Sequence, residues 1–436
     1  MIGIIDVKIW GTTIGKLGYG EEQSEFATFE FVPEMLNTAQ SLSPLKAPNN
    51  TALHTFSNIS TKTFHGLPGF IADSLPDKFG SQLIDQYFAS KGIEFEAITA
   101  LDRLLYVGNR SMGALEYEPA TVLSKKTTNI QLDLQSLYQL SEMVVNNKKD
   151  FAKKLGDADR EQAITLLRVG SSAGGARSKV LVAIDSDGKL YDGTIEQAKD
   201  CKYYLLKFDS NSNSDRDKKD PKGMTRVEYI YSLIAKKCQI EIPNTSFIEI
   251  GDDFHFLIER FDRIKKENGK LDKVHYVSWC GIEHYHRDET GAFSYEQLIL
   301  TARKLGLKQG TITEIFKRAI FNIVGRNQDD HTKNFGFLMD RDGNWKLSPA
   351  FDMTYSCDPT GKWTKGHQIR LGGKQDGFIK EDIVTFGKYC NITQKKALEI
   401  LATTKENFQS FKDLAKQYTI SDELTNTIWE NLRTEI

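Results

Sequence analysis

The chain is poor in cysteine, with five residues at positions 201, 238, 280, 357 and 390. They are odd in number, widely spaced and form no C-x-x-C, which speaks against a zinc site and a disulfide framework and for a reducing cytoplasm. Long apolar runs are missing, so no membrane association is expected. The N-terminal apolar stretch has Asp6 and Lys8 inside it, which suits a strand and not a signal peptide. Charge of one sign is missing too. The 57 basic residues nearly cancel the 59 acidic ones, and this removes any whole-chain attraction to nucleic acid or anionic membrane. His284 and His286 flank Tyr285 beside acidic residues, and we expect them to be solvated and not metal-bound. There is no internal repeat and no Walker A motif. After Gly175 come Ala176 and Arg177 where Lys and Ser or Thr are required.

What remains is an ordinary soluble composition, 39% hydrophobic, over 436 residues, enough for two or three domains or lobes. Residues 4–10 and 14–19 flank Gly11-Thr12-Thr13 as a hairpin, and 26–32 places Phe29 and Phe31 on one face around Glu30. A Pro76-Asp77 turn interrupts helical spacing over 73–88, and Gly108 to Gly113 form a turn before an extended segment at 114–117. No catalytic constellation is visible in this β-rich part, which we expect to end near residue 124 as an accessory domain.

A helix over 132–145 follows, then a glycine-rich run, then strands at 180–184 and 203–208. The first strand ends in an Asp187-Gly188 turn. The polar stretch 209–223 reads as an exposed, mobile loop. Helix is expected from Thr225 to Cys238, strand at 256–261, and a hairpin turn at Asn268-Gly269. Beyond Ser294 the pattern is mainly helical, with Thr311 and Glu314 read as a capping box. The expected domains are thus 1–124, 125–260 and 261–436.

The chemistry concentrates in Asp329-Asp330-His331-Thr332-Lys333-Asn334, which follows a predicted helix. A predicted hairpin with its turn at Asp342-Gly343 comes next, and it returns the chain to Ser348 and then Asp352. Two acidic groups and a carboxamide therefore converge. Phosphoryl transfer needs such a set: a carboxylate to orient the attacking hydroxyl and hard oxygen ligands for Mg²⁺. The spacing from Asp329 to Asn334 equals the D-x-x-x-x-N of a protein-kinase catalytic loop. Asp352-Met353-Thr354 stands where D-F-G would but lacks its glycine.

Lys207, inside the apolar strand Tyr204-Leu205-Leu206-Lys207-Phe208, is open to two readings. It faces water on an edge strand, or it serves nucleotide phosphates. Glu228 either pairs with it or caps its own helix with Thr225. Glu259, Arg260 and Phe261 end a strand between the expected lobes, where adenine would meet the backbone.

Together these segments resemble the HipA-type serine/threonine kinases, toxins of bacterial type II toxin–antitoxin pairs. The motifs are Val107 to Ala114, the glycine-rich run 170–179, Leu205-Leu206-Lys207, Ile258 to Arg263, Asp329 to Phe335, and Pro349-Ala350-Phe351-Asp352. The resemblance implies an α+β, bilobal protein-kinase-like fold with an N-terminal β-rich accessory subdomain and a mainly helical C-lobe. It also implies ATP and Mg²⁺ as cofactors. Asp329 would be the catalytic base, with Asn334 and Asp352 as metal ligands. ATP would meet Gly174, Gly175, Ala176, Arg177, Ser178 and Lys179 in the phosphate loop, Lys207 on the strand, and Glu259, Arg260 and Phe261 at the hinge. His331, Thr332, Lys333, Asn334, Phe351 and Asp352 would complete that site. Autophosphorylation would fall on Ser172 or Ser171. The implied partners are a small helix-turn-helix, HipB-like antitoxin, operator DNA mainly through it, and a protein substrate such as an aminoacyl-tRNA synthetase. Two other functions stay open: a catalytically weak, kinase-like corepressor holding its antitoxin on DNA, and a small-molecule phosphotransferase.

Overall fold

The computed structural model describes residues 3–20, 25–120, 131–146, 160–170, 177–198, 200–210, 220–266 and 269–436. It is a mixed fold whose described residues form three larger sheets, a two-stranded ribbon of Arg263–Lys265 and Leu271–Lys273, and a helical C-terminal part. The first sheet orders its strands Ala27–Phe31, Thr12–Tyr19, Ile4–Ile9 and Leu115–Glu118, all antiparallel. Ile5, Val7 and Ile9 alternate inward, as do Phe29 and Phe31 around exposed Glu30. The first hairpin is tighter than the sequence suggested. Trp10 and Gly11 alone make the turn, with φ of 51° and 82°. Two left-handed residues match the twist of a two-residue hairpin, so Thr12 and Thr13 join the return strand.

The second sheet has five strands in the order Leu190–Asp192, Lys179–Asp185, Cys201–Lys207, Asp253–Glu259 and Thr245–Ile250. Helix Leu134–Asn146 covers it with Leu134, Leu137, Leu140 and Val144. A second cover is helix Arg160–Gly170, where no helix was expected. Helix Met224–Lys237 packs against the strand Asp253–Glu259. Its start overturns the expected capping box. Gly223 is the N-cap, Thr225 instead donates to Asp209 at 2.9 Å, and Glu228 is turned elsewhere. The same correction applies to Thr311 and Glu314. Helix Gln309–Val324 begins before them, and Glu314 accepts from Arg318 and from the Glu241 amide, each at 2.9 Å. Both false caps have the same cause. A Thr-x-x-Glu spacing also fits a helix interior, where the glutamate can serve a tertiary partner.

The third sheet sets His275–Ser278 beside the hairpin Gly336–Met339 and Trp345–Leu347. Helices Tyr295–Lys304, Lys380–Tyr389, Gln394–Gln409, Phe411–Gln417 and Asp422–Asn431 complete the chain. No described helix is long and apolar enough to cross a membrane.

The polar stretch 209–223 is not exposed throughout: Pro221 and Lys222 face solvent, but other residues at its ends do not. Asp209 and Asp220 are buried, and Asp220 pairs with Arg177 at 2.7 Å; positions 211–219 lie outside the described residues. His284 and His286 are not simply solvated either. His284 Nε2 accepts from the Gly69 amide at 3.1 Å, and His286 Nδ1 lies 2.5 Å from the Thr63 hydroxyl. Both therefore tie the first part of the chain to the rest. One hydrophobic cluster runs from Ile5 and Phe29 through Trp279 to Phe316 and Leu432. At its seam Gly69 lies so close to Gly281 that a Cβ on Gly69 would sit 2.2 Å from the Gly281 carbonyl oxygen.

Candidate active site

Lys207 ends the middle strand of the five-stranded sheet and is buried, which removes the edge-strand reading. A lone ammonium there would be costly. It is instead held by two carboxylates: Nζ lies 2.6 Å from Glu228 Oε1 and bonds Asp352 Oδ1. Burial alone would push the Asp352 carboxyl up, but Lys207 and then Lys179 outweigh it and draw it down to about 2. Asp352 has φ of 53°, in the left-handed region that non-glycine residues seldom adopt. Its ion pair is one contact that holds this backbone in place.

Lys179 sits directly across the sheet from Lys207. It is buried and has no ion pair among the described residues. Burial, aided by the nearby Lys207 charge, lowers its ammonium to about 8. Ser178 beside it is also buried. Gly174, Gly175, Ala176, Ser171 and Ser172 lie outside the described residues.

Helix Gln309–Val324 delivers the 327–334 loop. Asn327 Nδ2 donates to the Asn322 side chain at 3.0 Å and reaches the Asp352 carbonyl at 3.4 Å. The Gln328 amide donates to the Ser356 carbonyl at 3.2 Å. These bonds, with the hairpin, bring Asp329 and Asp352 to one cleft. Thr332–Asn334 form a single 3₁₀ turn, and Asn334 Nδ2 donates to the Asp329 carbonyl at 2.7 Å. The amide oxygen is then the atom of Asn334 left for a cation.

Neighbouring aspartates divide here. Asp329 is half-buried at the cleft. Asp330 faces inward, where it accepts from Tyr295 Oη at 2.7 Å and the Gln368 amide at 2.8 Å, and lies 2.8 Å from His367 Nδ1. Tyr295, His367 and Gln368 were not foreseen, because nothing local marks them as loop supports. Burial, then Arg287, holds the His331 imidazole below its ordinary range, so it is neutral near pH 7. Thr332 is buried.

Lys333 reaches the first part of the chain, where its Nζ lies 2.9 Å from Asp77 Oδ1. Burial opposes both charges. The pair prevails, holding Asp77 well below the usual carboxylate range and Lys333 above its ordinary value. Four residues earlier, Asp73 accepts from the Ser278 amide and hydroxyl at 2.7 and 2.8 Å. The first part of the chain therefore lines the cleft with Asp73 and Asp77. Sequence spacing gave no sign of them, since both partners lie far along the chain.

The cleft has a volume of about 840 Å³, within the range of small-molecule sites. At one end the rings of Phe261 and Phe351 lie 5.7 Å apart. Glu259 accepts from Asn244 at 2.7 Å, and the Arg260 side chain is engaged by Asp262 at 2.8 Å. The Arg260 amide is committed to the Tyr203 carbonyl.

The family model of the HipA-like C-terminal domain matches residues 171–411, and that of the HipA N-terminal domain matches 5–118. The chain belongs to the HipA family. Among curated relatives, this HipA chain is 29% identical over 137 residues to "Putative kinase Y4mE" of Sinorhizobium fredii, covering 30% of the chain and 32% of that relative. It is 28% identical over 141 residues to a protein of the same description, without a further name, from Haemophilus influenzae, covering 29% and 39%. The chain thus spans about a third of the length of these two relatives. A chain in the solved Shewanella oneidensis MR-1 complex of the toxin–antitoxin system HipA and HipB with operator DNA covers far more. It matches 97% of this chain and 93% of itself, with a TM-score of 0.68 and 16% identity. That likeness establishes a shared HipA fold.

Proposed function

We propose that this HipA-family chain is an ATP- and Mg²⁺-dependent serine/threonine protein kinase and the toxin of a toxin–antitoxin pair. The observation that carries the proposal is the Lys207 ammonium bridging Glu228 and Asp352 in the cleft that also holds Asp329 and Asn334. Lys179 and Lys207 form a buried cationic pair that suits polyphosphate. Asn334 and Asp352 are hard oxygen donors, few in number, as suits a Mg²⁺ that takes its other ligands from phosphate and water. They would hold the ion, which would neutralise charge on the transferring phosphate. Asp329 orients a serine or threonine hydroxyl and accepts its proton as the oxygen attacks the γ-phosphorus. ADP leaves as the bond to the β-phosphate oxygen breaks. Autophosphorylation at Ser172 or Ser171 belongs to this proposal, as does an aminoacyl-tRNA synthetase as substrate. So does a HipB-like helix-turn-helix antitoxin that carries most of the contact with operator DNA. The family fold, shared with a chain solved beside HipB and operator DNA, supports that partner.

Incubation with γ-labelled ATP and Mg²⁺ tests the reading. Label is expected on serine or threonine of protein; label on small molecules and never on protein contradicts it. A second expectation concerns pH. Lys179, lowered to about 8, loses its proton as pH rises from neutrality. ATP affinity measured by calorimetry should therefore weaken between pH 7 and 9. The Lys179→Met variant should bind weakly throughout and show little of that dependence. The effect on stability runs the other way. Below about 8 the buried charge is a penalty, and this is relieved as pH climbs toward 10.5.

A further inference from the structure

We infer that Asp77 of the N-terminal HipA domain is a positioning residue for phosphoryl transfer, acting through Lys333 to hold the 327–334 loop. The inference rests on the kinase reading for its chemistry and on the coordinates for its geometry. Asp77 is the N-cap residue of helix Lys78–Ala89, yet its side chain makes no capping bond. Aspartate is a preferred cap, and this one forgoes that role while its carboxylate bonds Lys333. Lys333 is the middle residue of the 3₁₀ turn whose last residue, Asn334, bonds the Asp329 carbonyl. Fixing the ammonium therefore fixes the turn between the proposed base and the proposed metal ligand.

A second mooring lies one turn of chain away. Asp73 takes both the amide and hydroxyl of Ser278, and Ser278 pairs across the sheet with Gly336, two residues beyond Asn334. The mount itself is stiff, because Gly69 and Gly281 meet backbone to backbone with no room for a methyl group. Within this arrangement Lys333 serves the loop.

The test compares wild type, Asp77→Asn, Lys333→Met, the double variant and Asp77→Glu as full chains. Initial rates give kcat and the KM for ATP, and amide hydrogen exchange follows residues 327–335. Asp77→Asn is expected to lower kcat by ~10- to 100-fold, as small misplacements of reacting groups do. The KM for ATP should stay within about threefold. Lys333→Met should match it, the double variant should fall no further than the worse single, and Asp77→Glu should recover part of the loss. Exchange in the loop should quicken while the strand Cys201–Lys207 stays protected. An unchanged kcat, multiplying losses, or a defect confined to the KM for ATP overturns the inference. If wild type transfers no phosphate at all, the kinase reading falls. Exchange then decides alone: a quickened loop supports positioning by Asp77, and an unchanged loop overturns it.

Discussion

Asp352→Asn should lower phosphoryl transfer by about 10³-fold, since metal stabilisation of transition-state charge is worth several kcal/mol. The substitution keeps shape and removes charge. The Asp352 carboxylate is bonded by Lys207. In the proposed reading the same carboxylate would also hold the cation once nucleotide is bound. The asparagine variant should therefore require far more Mg²⁺ for half-maximal rate, while ATP still finds Lys179 and Lys207. Rates measured across a magnesium titration check this. An asparagine variant with wild-type magnesium dependence would remove Asp352 from the metal site.

Lys207→Met should cost both activity and stability. Loss of one preorganised charge on the phosphates is worth about 10²–10³ in rate. The stability cost is about 3 kcal/mol or less, because Glu228 is left buried without its cation while Asp352 keeps some access to water. The sign of the pH effect follows from Asp352. Its carboxyl is depressed to about 2 in the fold. The stability it gains from Lys207 is present above the ordinary carboxylate range and is lost as pH falls toward 2. The difference in stability between wild type and Lys207→Met should accordingly be largest near neutrality and shrink in acid. Denaturant unfolding at several pH values reads it. A difference that grows in acid would contradict the ion pair.

Elements held by local chemistry were readable in the sequence. Phe29, Glu30 and Phe31 alternate because the strand has one buried face, and Asp342-Gly343 turns because Gly343 takes φ of 85°. The convergence of Asp329 with Asp352 followed from that hairpin. Contacts across the chain were not readable. Asp77 meets Lys333, and Asp330 meets His367 and Tyr295, through tertiary packing that leaves no spacing signal. Thr225 and Glu228 show the opposite error, where a genuine local pattern lost to Asp209 and Lys207. Helix Arg160–Gly170 was missed because only a few of its residues, such as Leu166 and Leu167, form a recognisable apolar stretch.

In the proposed mechanism Asp329 handles the acceptor hydroxyl while the two lysines handle the nucleotide. The direct measurement is ATP binding and γ-phosphate transfer to protein, side by side, for wild type and Asp329→Asn. Both chains should bind ATP with similar affinity, and transfer should fall by about 10²–10⁴-fold in the variant alone. Equal transfer by the two chains, or no ATP binding by wild type, would contradict it.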